Sequence, residues 1–202
     1  MGKDTVVITY PFSTSEILVD TAIARGYEPL ILLPRIDSAT IDMVCGFVRE
    51  MFKGRAECIE CKNDVDDALS KLSGRNIVAV MPGNDVGIGL VDQLCKRLNL
   101  PGNDPDSSWR RTTKYGMNKS LAEKGLPHIV TEIIKDTDQL RSVWEDQKLD
   151  VAVLKFTESA ASVGMKVCHS LDEAIAHFNN MREVGNNVGS KDVDILLQEF
   201  AI

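Results

Sequence analysis

Residues 151–167 read VAVLKFTESAASVGMKV: an apolar run carrying Lys155, a turn of small residues, and a second short apolar run. Two strand-forming runs joined by so short a segment make a hairpin, and a hairpin is antiparallel. In the first run Val151, Val153 and Lys155 share one strand face, while Ala152, Leu154 and Phe156 share the other. Lys155 then has two readings. On an edge strand it guards against pairing with other chains. Beside the small-residue loop it supplies charge where backbone N–H groups can fold over phosphates.

The segments flanking the hairpin are RTTKYGMNKSLAEKG, DTDQLRSVWEDQ and SLDEAIAHFNNMRE, which read as helices, and PHIVTEII and VDILLQEFAI, which read as strands. An antiparallel hairpin set among helices is an α+β arrangement. Farther upstream the pattern changes. DTVVITY, EPLILLP, AECIEC and NIVAVMP read as strands, and they alternate with the helical segments STSEILVDTAIARG, SATIDMVCGFVREMF, NDVDDALSKLSG and DVGIGLVDQLCKRLN. Strands alternating with crossover helices over short connections predict a parallel α/β sheet. Ser13 and Glu16 have capping-box spacing at the first helix, and Gly26 stands where that helix stops. LPGNDPDSS, residues 100–108, is the densest Pro, Gly, Asn and Asp cluster. It predicts a boundary between an α/β domain, residues 1–104, and a smaller α+β unit, residues 105–202.

At 202 residues and 44% hydrophobic content the chain is long and apolar enough to bury a substantial core. A net charge of −7 argues against generic attraction to nucleic acid or anionic lipid. The apolar runs are too short to span a bilayer, and the start MGKDTVVITYPF lacks a signal-peptide pattern. The five cysteines are odd in number and scattered, which fits a reducing compartment. Together these features predict a cytoplasmic protein with no nucleic-acid or membrane partner, and they are compatible with a homo-oligomer.

Several motifs are incomplete. In CIEC, residues 58–61, the cysteines fall on opposite strand faces and no second pair exists to complete a zinc site. Gly87 and Gly89 begin a G-x-G after a predicted strand, but Asp92 stands at the third glycine position, which disfavours a dinucleotide-dependent oxidoreductase. Asp64, Asp66 and Asp67 lie at a helix start without the rest of a calcium loop, so they complement the helix dipole. WRRTTKYG says more: Arg110, Arg111 and Lys114 gather at a helix start, against the dipole. Such a cluster either pairs with carboxylates on an acidic surface or receives an anion.

Lys114 at a helix start, Lys155 at a strand end, the small-residue turn from Glu158 to Gly164 and the strand ILLQEF occur in an order that resembles the ATP-grasp superfamily. Within it, the chain is most similar to carboxylate–amine ligases of the amino-acid ligase type. The similarity covers essentially the whole chain: VVITYPFSTSEILVDTAIARGYEPLIL resembles the family's N-terminal domain, and MPGNDVGIGLVDQLCKRLNLPGND its last strand and helix. The resemblance implies a Rossmann-like, parallel-sheet pre-ATP-grasp domain at 1–104 and a first, incomplete ATP-grasp subdomain at 105–202.

The resemblance also implies ATP as the nucleotide, with carboxylate and amine small molecules as substrates joined through an acylphosphate. Lys114 and Lys155 would contact the phosphates, with Lys155 also near the adenine. Ser159, Ser162, Val163 and Gly164 would close over the β- and γ-phosphates. Glu199 would bind the adenine amino group, and the backbone of Phe200 and Ile202 would pair with the ring edge. The sequence departs from the family pattern at Thr113, often Asp; at Phe156, often Pro; and at Ala161, more often glycine. The expected Mg²⁺ ligands would lie beyond Ile202, and no catalytic residue is assigned. The expectation is therefore the N-terminal portion of a ligase, inactive alone. The alternative is a non-catalytic nucleotide-binding or assembly module completed by a partner chain.

Overall fold

The computed structural model describes residues 3–12, 15–35, 38–157, 164–185 and 193–201. The chain divides into two units, Met1–Ser108 and Trp109–Ile202.

The first unit runs β1 (Thr5–Thr9), α1 (Glu16–Ala24), β2 (Glu28–Pro34), α2 (Ala39–Met51), β3 (Glu57–Cys61), α3 (Val65–Leu72), β4 (Ile77–Pro82) and α4 (Ile88–Leu98), with a 3₁₀ turn at Asp85–Gly87. Its four strands lie in the order β3-β2-β1-β4. All the pairings are parallel, with Val7 opposite Leu30 on one side and Val80 on the other. Parallel strands covered on both faces must be apolar on both, which is why TVVIT and PLILLP show no polar alternation. Val7, Leu30, Leu32 and Val80 pack beneath Ala68 and Leu72 of α3 and Leu90 and Leu94 of α4. Val6, Ile8, Ile31 and Leu33 pack on the opposite face against Val19 and Ala22 of α1, Val48 of α2 and Phe52 just after it.

Local signals act where the sequence places them. The Asp64 side chain caps α3 by accepting from Asp67 N at 2.8 Å. Asn99 adopts φ 53°, the left-handed conformation that ends α4. Cys58 and Cys61 belong to opposite core faces, and both are free thiols. Burial pushes Cys61 up to about 11 and Cys58 upward as well, so neither is poised as a thiolate. Ser13, expected in a capping box, lies outside the described residues. The N-cap position of α1 is Ser15, whose hydroxyl is directed to Phe12 O and Gly83 O and accepts no N–H from its helix.

Gly83 follows β4 and donates its N–H to Thr9 O at 2.7 Å. A Cβ there would fall 2.5 Å from Pro11 Cα and 2.7 Å from Thr9 O, both backbone atoms that cannot swing aside. Gly83→Ala is therefore expected to destabilise the first unit by about 1–3 kcal/mol, the usual range for overpacking. Equilibrium urea unfolding checks this, and an unchanged midpoint would contradict the close packing of these two loops.

The second unit runs α5 (Trp109–Thr112), α6 (Lys114–Glu123), β5 (Thr131–Ile134), α7 (Thr137–Asp146), β6 (Ala152–Phe156), β7 (Lys166–Cys168), α8 (Leu171–Val184) and β8 (Ile195–Glu199). The sequence reads RTTKYGMNKSLAEKG as a helix with Thr112 or Thr113 able to cap it, and the structure makes Thr113 the cap, with a separate short helix before it. At Thr113 the chain turns extended, and its hydroxyl accepts from Gly116 N at 2.9 Å to begin α6. The strands lie in the order β5-β8-β6-β7, all antiparallel. Ala152, Leu154, Phe156, Ile195 and Leu197 face Leu140 and Trp144 of α7 and Phe178 and Met181 of α8.

The hairpin read from residues 151–167 is present, with Val153 opposite Val167. Its first strand, however, is interior: β6 pairs with β8 on one side and β7 on the other. Lys155 is therefore not the guard of a sheet edge, and that reading is overturned. Among the described residues no helix is long and apolar enough to cross a membrane.

Candidate functional site

The strand alternation of β6 decides where Lys155 points. Ala152, Leu154 and Phe156 are buried against the helices, while Val153 and Lys155 are half-buried on the other face. A lysine held partly out of water on a strand loses hydration of its ammonium, which favours the neutral form. Burial is the main reason Lys155 ionises below the ordinary lysine value, and the positive charge of Lys114 is the second. The fold thus brings together two lysines that are 41 positions apart in sequence (155 − 114).

The sign of that coupling matters. Because the folded pKa of Lys155 is depressed, its charge costs the native state stability below that pKa. The cost fades as pH rises through the folded pKa towards the ordinary lysine value. A bound anion would reverse the shift and draw a proton onto Lys155.

Arg110 behaves differently from Lys114. It pairs with Glu123 at 2.6 Å, donates to Ser120 at 3.0 Å and lies over the Trp109 ring at 4.7 Å. For Arg110 the surface-cluster reading is therefore correct. Lys114 is exposed as the first residue of α6, where its charge opposes the helix dipole.

The described ends of the loop between β6 and β7 are fixed to the fold. Thr157 donates its N–H and its hydroxyl to Asp194 O, at 2.9 and 3.1 Å. Gly164 adopts φ 74°, and a Cβ there would fall 2.6 Å from the Phe156 ring, so both its conformation and its packing require glycine. Its carbonyl lies 2.9 Å from Nε2 of His177 on α8. Ser159, Ser162 and Val163 lie outside the described residues.

At the far end of the sheet, Glu199 pairs with Ala152, so its side chain shares the helix-covered face and not the face of Lys155. One carboxylate oxygen accepts from Val130 N at 3.0 Å, and the Glu199 N–H donates to Val130 O at 3.0 Å. Phe200 donates its N–H to Val151 O, and its side chain is 44% exposed. Glu199 and Phe200 border a cavity of about 300 Å³, together with Val130, Leu149 and Val151. Ile202 lies outside the described residues.

Sequence reasoning missed two features here. Gln198 and Thr131 are buried polar residues on the Lys155 face, and Gln198 Nε2 donates to Thr131 Oγ1 at 2.8 Å. A glutamine inside the apolar run ILLQEF was the available signal. The contact of His177 with Gly164 had none, because it joins a helix to a loop 13 residues away.

No family model matches the sequence. Dapdiamide A synthase from Enterobacter agglomerans is 30% identical over 201 residues, covering 98% of this chain and 46% of that protein. The L-amino acid ligase from Bacillus licheniformis superposes with a TM-score of 0.65 at 16% identity, over 98% of this chain and 46% of the ligase. The N5-carboxyaminoimidazole synthetase from Staphylococcus aureus, in its complex with ADP, gives 0.65 at 13% identity over the same shares. The chain spans about half the length of the relatives it matches. The alignments run along nearly the whole of this chain, through its parallel α/β unit and its helix-backed antiparallel sheet. The chain is similar to about half of an amide-forming synthase and shares its fold with about half of each of these solved ligases and synthetases.

Proposed function

We propose that this chain provides part of the ATP site of an ATP-dependent carboxylate–amine ligase, with Lys114 and Lys155 contacting the phosphates. The observation that carries this reading is the setting of Lys155, half-buried on the open face of β6 with the positive charge of Lys114 acting on it. The charged neighbour that perturbs half-buried Lys155 is a second cation, with no carboxylate neutralising it among the described residues. Two lysines in that relation favour a polyanion, and a triphosphate fits their chemistry. The relative solved with ADP supports the same nucleotide class.

In this reading the two ammonium groups neutralise phosphate charge as it redistributes during transfer to a substrate carboxylate. The resulting acylphosphate is open to attack by an amine, forming the amide. Glu199, with one carboxylate oxygen accepting from Val130 N, would bind the adenine amino group, and the main chain of Phe200 and Ile202 would meet the ring edge. Gly164 and the small-residue loop it closes would approach the phosphates.

The residues described do not fit a magnesium clamp. Among them no group of three or more His, Cys, Asp or Glu could hold a metal ion. Phosphoryl transfer requires positioning and charge neutralisation beyond two lysines. The chain alone is therefore expected to bind ATP weakly and to turn nothing over. Incubation with ATP, Mg²⁺ and mixed amino acids, followed by phosphate and dipeptide assays, tests this. Phosphate release at a ligase-like rate, abolished by Lys155→Ala, would show that the chain carries a complete catalytic site.

A further inference from the structure

We draw no further inference here: the strongest candidate, the apolar groove of about 270 Å³ between α1 and the outer strand β4, lined by Leu18, Thr21, Tyr27, Val78 and Met81, is an unpartnered face, and nothing in the structure shows what covers it.

Discussion

Leu154→Asp is expected to unfold the second unit while leaving the first intact. Leu154 is fully buried in an interior strand, opposite Leu197 on one side and Lys166 on the other. The substitution removes about 1.5–3 kcal/mol of apolar burial. It also forces a carboxylate into the core formed by Trp144, Phe178 and Met181, at a cost of several kcal/mol more for an unpaired charge. A domain is stable by only about 5–15 kcal/mol, so little or nothing remains. The first unit has its own two-faced core and contributes none of those residues. Limited proteolysis should leave a protected fragment ending near residue 108 and degrade the remainder. Val153→Asp, one residue away on the half-buried face, should be far milder because its carboxylate keeps access to water. Equal effects from the two variants would contradict the strand alternation on which the site depends.

Lys155→Ala is expected to weaken ATP binding about 10- to 100-fold, because a hydrogen bond to a charged group contributes about 1.5–3 kcal/mol. Adenosine, which carries no phosphate, should bind the variant and the parent alike. Thermal stability should hold or rise slightly, since the native state is relieved of a half-buried ammonium beside a like charge. That combination separates loss of a ligand contact from general damage to the sheet. Calorimetry with the two ligands, alongside a thermal melt, reads all three quantities. Unchanged ATP affinity in the variant would remove Lys155 from the phosphate site.

Much of the fold is legible in the sequence because burial leaves periodic marks. The apolar runs of β1 and β2 predict strands covered on both faces, and both are buried along nearly their whole length. The alternation AVLKF predicts one buried and one half-exposed face, and the burial of β6 follows it residue by residue. Periodicity does not report neighbours, however. Whether Lys155 lies on an edge depends on β8, which forms some 40 residues later and inserts between β5 and β6. The same limit applies to Glu199. Its residue type suits a polar contact with a base, but only the pairing with Ala152 reveals which face it takes and that one carboxylate oxygen accepts from Val130 N. The break at Thr113 was foreshadowed by threonine's preference for capping. The helical pattern on both sides concealed the short helix Trp109–Thr112 that precedes it.

In the proposed function, Lys114 and Lys155 act together on the phosphates of ATP. Lysine-resolved NMR of the ¹³C-methylated protein, with signals assigned through single Lys→Arg variants, follows both side chains directly. Without nucleotide, Lys155 should titrate below the ordinary lysine value. On addition of ATP the Lys114 and Lys155 signals should shift together, and the Lys155 midpoint should rise as the bound anion stabilises its ammonium. ATP that moves neither signal at millimolar concentration, or that leaves the Lys155 midpoint unchanged, would contradict the assignment.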